Sequence, residues 1–169
     1  ELVRQWLVTD MGSVVVLDKF TYAGSREALA EVADDPRLTI VAGDIGDRGL
    51  VGELLAKHRP QAIVNLAAET HVDRSITTPA PFVETNVVGT WQLLEASLAH
   101  WRNLPADEQD RFRFVQGSTD EVYGDLPEGM VAQVGSPYVP SSPYAAAKAA
   151  ASTQARGVRP AGRRHSWGS

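Results

Sequence analysis

Two short stretches hold the residues best suited to chemistry. Ser118-Thr119-Asp120-Glu121-Val122-Tyr123-Gly124 sets hydroxyls beside two adjacent carboxyl groups, and Tyr144-Ala145-Ala146-Ala147-Lys148 holds a phenol and an ammonium four residues apart. The first follows the apolar run Phe112-Arg113-Phe114-Val115. Its polar groups are therefore expected at the carboxyl end of a strand, where open α/β sheets place their ligands. The second has its own helix-start signals, with Ser142 as N-cap and Pro143 as first helical residue. A spacing of four puts Tyr144 and Lys148 on one helix face. An ammonium beside a phenol favours the phenolate, so a group that titrates near ~10 becomes a usable base for an alcohol proton. Neighbouring carboxyl groups can divide acid and base work, because like charges held close push one pKa upward. Tyr-x-x-x-Lys alone is common by chance in an Ala-rich helix, where a partly buried Tyr and a solvated Lys are the plainer reading. The Ser-Thr-Asp-Glu run upstream is what favours a site.

The surrounding chain supplies elements able to position these groups. Glu1 to Val8 reads as a helix with Leu2, Val3, Trp6 and Leu7 on its apolar side. Val14-Val15-Val16-Leu17-Asp18 is a buried strand ending in an acid, Ser25 to Val32 a short helix, and Leu38 to Val41 a further strand. Asp47 to Lys57 is the next helix and Ala62 to Leu66 the next strand; alternation of this kind predicts a parallel, doubly wound α/β sheet. Thr78-Pro79 opens a long helix reaching about His100. One of its stripes comprises Val83, Val87, Thr90, Leu94, Leu98 and Trp101, and a second includes Phe82 and Leu93. A helix apolar on two sides needs two partners. Leu104 to Asp110 reads as a polar loop, and Leu126 to Pro140 as a flexible flap over the site.

With 169 residues, 43% of them hydrophobic, and a net charge of -5, the chain suits one ordinary domain. The charge argues against nucleic acid as a partner. There is no Cys, so neither a disulfide framework nor a thiolate metal site is available, and the four His lack ligand spacing. No apolar run approaches the ~20 residues of a membrane span. A cytoplasmic location and no metal are the expectations.

Beyond the two chemical stretches, Leu17-Asp18-Lys19-Phe20-Thr21-Tyr22-Ala23-Gly24, the run Leu66 to Ser75, Glu84-Thr85-Asn86-Val87-Val88-Gly89-Thr90 and Ser141-Ser142-Pro143-Tyr144 are distinctive. With these segments the sequence resembles the extended short-chain dehydrogenase/reductases, most closely the dTDP-glucose 4,6-dehydratases. The likeness covers roughly residues 1–150. It implies a Rossmann-like fold, NAD as cofactor, a nucleotide-activated glucose as substrate and a homodimer. The implied activity is that of a hydro-lyase of deoxysugar biosynthesis. The resemblance implies catalytic roles for Thr119, Asp120, Glu121, Tyr144 and Lys148. Asp18 and Lys19 would lie at the adenosine ribose, Asp44 and Ile45 at the adenine, and Leu66, Ala67, Ala68 and Ser118 along the rest of the cofactor, which Tyr144 and Lys148 also meet. An acid such as Asp18 at that strand end accepts hydrogen bonds from the ribose and disfavours a 2′-phosphate. Glu69, His71, Arg74 and Thr119 would face the substrate. Asn86 would be a structural residue holding the active-site Lys. The same scaffold also serves sugar-nucleotide 4-epimerases and decarboxylases, and a truncated remnant without activity is a further reading.

The resemblance also implies missing parts. Family members open with a strand and a glycine-rich turn that binds pyrophosphate, and this sequence begins at the helix after it. In the strand order 3-2-1-4-5-6 that strand is central, so its neighbours would face an empty slot. A small substrate-binding domain is likewise expected beyond the C-terminal end. From about Ala151 the Arg-, Gly- and Pro-rich sequence lacks core periodicity, so residues 151–169 are expected to be a disordered or non-native tail.

Overall fold

The computed structural model describes residues 1–22, 24–133 and 135–158. Helix α1 (Leu2–Val8) leads into strand β1 (Val14–Asp18), a 3-10 helix (Arg26–Val32) and strand β2 (Leu38–Ala42). Helix α2 (Arg48–His58), capped by the Asp47 carboxylate on the Leu50 N–H, precedes β3 (Ala62–Asn65) and α3 (Val72–Thr77). A continuous helical run over 80–102, α4, begins at Ala80–Phe82, winds as a π-helix over Val83–Gly89 and returns to α-helix over Thr90–Arg102. Then come α5 (Ala106–Arg111), β4 (Arg113–Gln116), a 3-10 turn (Asp120–Tyr123) and α6 (Pro143–Gly157).

The four strands form two parallel pairs, not one sheet. Strand β1 pairs with β2 in the register Val14 to Leu38, and β3 with β4 in the register Ala62 to Arg113. Among the described residues no ladder joins β1 to β3. Among the described residues the two pairs are therefore separate half-sheets. What unites them is one core: Ile45, Val51, Leu55, Leu93, Leu94 and Phe114 pack together, with Leu17 of β1 and Ile63 of β3 against them. The opposite side of β3 and β4 is open, leaving Val64 and Val115 exposed.

Three expectations need correction. The polar loop expected over Leu104 to Asp110 contains α5. Acids in its first turn and Arg111 in its last suit the helix dipole, and Arg111 reaches Asp107 at 2.8 Å. The Trp101 indole N–H also donates to the Gln109 carbonyl at 3.0 Å. A helix polar on its exposed sides shows no apolar period, so pattern reading missed it. The tail expected from residue 151 is, as far as Gly157, the end of α6, and Ala151 and Ser152 are buried. Small side chains seat this helix close to β4, so the large apolar anchors sought in the sequence are not required. Residues 159–169 lie outside the described residues. Finally, the apolar stripe expected on α4 is interrupted. The π-turn rotates Val83, Val88 and Trp91 outward, each roughly half exposed, while Phe82, Asn86, Thr90 and Leu94 face inward.

Candidate active site

Thr119 is the cap of the 3-10 turn: its Oγ1 accepts from the Glu121 N–H at 3.4 Å and donates to Asp120 Oδ1 at 3.3 Å. The turn leaves both carboxylates exposed. Behind it Gly124 closes the turn at φ 70°, and the Val139 N–H donates to the Val122 carbonyl at 2.9 Å. Tyr138 meets Tyr123 edge-on at 5.4 Å. The segment expected as a flap is thus strapped to the turn at this point.

Helix α6 presents Tyr144, Lys148 and Ser152 at intervals of four along one face. Each is tied to a neighbouring element. The Tyr144 ring is buried against Phe82, at 6.4 Å and nearly perpendicular, with Val72, Val87 and Ala147 around it. Lys148 is 5% exposed, and its Nζ donates to the Gly117 carbonyl at 2.7 Å. Burial holds its ammonium below the usual lysine range. Ser152 Oγ donates to Ser118 Oγ at 2.9 Å. The phenol–ammonium face of α6 therefore lies against Gly117-Ser118, immediately ahead of Thr119, Asp120 and Glu121.

A second group gathers on the loop after β3. Glu69 is held by a reciprocal pair: its N–H donates to Asn86 Oδ1 at 2.8 Å and its carbonyl accepts from Asn86 Nδ2 at 3.0 Å. The Asn86 side chain thus clamps the Glu69 backbone, and the Lys148 ammonium is held by the Gly117 carbonyl. The π-turn aims the buried Asn86 at the loop following β3. The Tyr22 hydroxyl donates to Glu69 Oε2 at 2.6 Å, and that bond raises the phenol above its ordinary pKa. The Tyr22 ring stacks on His71 at 5.4 Å, and the Arg74 guanidinium lies over it at 4.7 Å. Glu69, His71 and Arg74 thus come together, organised by a tyrosine that the sequence reading placed only within a resembling segment.

The cofactor-side residues are less uniform. Asp18 is exposed at the end of β1, with Oδ1 accepting from the Phe20 N–H at 2.7 Å. Lys19 pairs with Asp44 at 2.6 Å. The hydrogen bond and charge of Asp44 raise the pKa of Lys19, while that ion pair and the Gly46 N–H outweigh burial and lower that of Asp44. Ile45, expected against an adenine ring, is buried in the main core. Leu66 is exposed, and Ala67 and Ala68 are half-buried.

Gly43, Gly46 and Gly49 follow β2 at intervals of three and open α2, a spacing that resembles a phosphate-binding turn. The structure argues against that role. Carboxylates already occupy the donors a phosphate would use, Asp44 on the Gly46 N–H at 2.8 Å and Asp47 on the Leu50 N–H at 3.0 Å. Close packing explains Gly43 instead, since a Cβ there would lie 2.3 Å from Leu50 Cδ2. A cleft of about 420 Å³ between α2 and α4, lined by Leu55, Ala96 and His100 among others, contains none of the groups described above.

Comparison with known proteins establishes the family. The family described as GDP-mannose 4,6 dehydratase matches residues 2–165. The chain belongs to this family. A dTDP-glucose 4,6-dehydratase from Neisseria gonorrhoeae is 47% identical over 152 residues, 89% of this chain and 44% of that protein. dTDP-glucose 4,6-dehydratase 1 of Escherichia coli K12 is 48% identical over 88% of this chain and 44% of its own length. Among solved structures, DesIV, a dTDP-glucose 4,6-dehydratase from Streptomyces venezuelae crystallised with NAD, superposes at TM-score 0.79 and 42% identity. That match covers 92% of this chain and 47% of DesIV. A UDP-glucose 4-epimerase of Thermus thermophilus in complex with NAD gives TM-score 0.74 at 29% identity. The chain spans a little under half the length of these relatives.

The residues present fit part of an NAD site. Gly24 packs so tightly on Asp18 that a Cβ would come 2.8 Å from Asp18 Oδ1, and the Asp18 carboxylate stays at the loop surface at the end of β1. The buried Lys148 and Tyr144 stand beside Gly117 and Ser118. Ser75 and Ser152, which anchor α6, were not singled out from the sequence. The spacing 144, 148, 152 was a signal for Ser152; nothing local signalled Ser75.

Proposed function

We propose that this chain carries the chemical half of an NAD-dependent 4,6-dehydratase acting on a nucleotide-activated glucose, dTDP-glucose being the favoured substrate. The enzyme would be a hydro-lyase of deoxysugar formation, acting in the cytoplasm. One observation carries the reading. The buried Lys148 ammonium donates to the carbonyl of Gly117, which sets the Tyr144 face of α6 beside the turn bearing Thr119, Asp120 and Glu121. NAD, when bound, supplies a place for the hydride that leaves C4 of the sugar and later returns at C6.

This chain's residues then divide the proton work. Tyr144, with Lys148 beside it, takes the proton of the C4 hydroxyl, and Thr119 hydrogen-bonds the same oxygen as its charge develops. The C4 ketone acidifies the C5 hydrogen, which Glu121 removes. Asp120 gives its proton to the departing C6 hydroxyl, and water leaves. Both carboxylates stand exposed on the turn, free to meet a sugar ring. Glu69, His71 and Arg74 form the substrate side, while Asp18, Lys19, Asp44 and the backbone at Leu66, Ala67 and Ala68 line the cofactor side, with Ile45 as a packed wall. The half-exposed Val83, Val88 and Trp91 on α4 suit a second copy of the chain as homodimer partner. The domain runs at least to the end of α6.

Asp120→Asn and Glu121→Gln test the assignment. Each is expected to abolish elimination while C4 oxidation persists, seen as NADH absorbance that accumulates with dTDP-glucose. Unchanged turnover in both variants would refute the roles given. A scaffold serving epimerisation alone would tolerate both substitutions.

A further inference from the structure

We propose that Ser75 is a positioning residue for Tyr144, fixing the start of the catalytic helix to the segment that carries His71 and Arg74. This rests on the functional reading above. The argument begins with the N–H groups that a helix start leaves without intrahelical partners. In α6, Pro143 has no N–H, the Ala145 N–H is capped by Ser142 Oγ at 3.0 Å, and the Ala146 N–H bonds the Ser142 carbonyl at 2.9 Å. The Tyr144 N–H has no such local partner. It donates to Ser75 Oγ at 3.2 Å, across 69 residues of sequence.

Ser75 is completely buried, and its own hydroxyl proton is committed to the Val72 carbonyl at 2.6 Å. That leaves its oxygen as an acceptor aimed at Tyr144. The bond acts on the main chain of the very residue whose phenol does the chemistry. Lys148 and Ser152 tie the same helix face to Gly117 and Ser118. Ser75 alone among these ties α6 to α3, and so relates the phenol to the substrate side. Catalytic geometry tolerates little error in such a relation, since displacements near 1 Å cost on the order of a hundredfold in rate.

The test uses Ser75→Ala, with Ser75→Thr as the variant that keeps the hydroxyl. In Ser75→Ala the Tyr144 amide is expected to exchange with solvent about fivefold faster, the loss of one hydrogen bond, while the Ala145 and Ala146 amides hold. Conversion of dTDP-glucose should fall at least tenfold in kcat with KM for the sugar nucleotide little changed, and Ser75→Thr should recover both. An unchanged Tyr144 exchange rate in Ser75→Ala overturns the proposal. Faster exchange with kcat and its pH profile unmoved also overturns it, because Ser75 would then be structural only. If Ser75→Ala speeds Tyr144 exchange as described yet the unsubstituted chain never converts dTDP-glucose, the anchor stands and the functional reading is what fails.

Discussion

Replacing Gly124 by Ala tests how the Asp120–Tyr123 turn is held. Gly124 sits at φ 70°, ψ -161°, a region open essentially to glycine, and a Cβ there would lie 2.1 Å from the Val139 carbonyl oxygen. Backbone cannot yield as a flexible side chain does, so the strap over Tyr138 and Val139 must lift. Lifting forfeits the Val139 to Val122 hydrogen bond, about 1 kcal/mol, and the Tyr123–Tyr138 edge contact, about 0.5–1.5 kcal/mol. Residual backbone strain adds about 1–3 kcal/mol. A total of about 4 kcal/mol corresponds to a fall of about 12 °C in Tm for a chain of this size. Gly52→Ala is the matched control: nothing lies within 4 Å of its added Cβ, and it sits inside α2. There the same change should stabilise, by about 0.5–1 kcal/mol. Thermal melts of both variants, with amide exchange at Val139, measure the effect. A Gly124→Ala protein within 0.5 kcal/mol of the parent (roughly the noise of a surface change), with Val139 still protected, would falsify the account of the strap.

Other consequences follow from the same structure. Asn86→Ala strands the Glu69 N–H and carbonyl and should cost about 3 kcal/mol in chemical denaturation; a loss under 1 kcal/mol would mean that the clamp is dispensable. Lys148 has a lowered folded pKa, so between that value and its unfolded one the unfolded chain binds more protons and stability rises with pH. The wild type should therefore gain on Lys148→Met in urea midpoints as pH is raised from neutral past about 10, and a flat difference would contradict the burial argument. The Val14 N–H donates to the Arg37 carbonyl on the β2 side, so alternation turns Val15 and Leu17 of β1 toward the slot. Their amides should exchange faster than that of Val16, and equal protection would indicate a partner across the gap.

Much of the architecture was legible because it depends on local pattern. Four strands with helices between them follow from apolar runs and turn residues, and Ser142-Pro143 marks the start of α6 to the residue. The absence of a ladder between β1 and β3 among the described residues was foreseeable only through the family resemblance and its strand order. Helix α5 escaped because it carries no apolar period. The end of α6 escaped because Ala and Ser seat a helix through close approach, which composition does not reveal.

For the site, the sequence by itself determined which groups are available: a phenol and an ammonium on one helix face, and a hydroxyl and two carboxyls after a strand. Local spacing suffices for that, since each pair lies within one turn of chain. Tertiary structure alone decided what holds them. Lys148 meets the Gly117 carbonyl, Asn86 clamps Glu69, and Tyr22 gathers Glu69, His71 and Arg74. These contacts join residues 17 to 52 positions apart, and they depend on how α6, the π-turn and the loop after β1 pack around one core. No single stretch of chain encodes that packing.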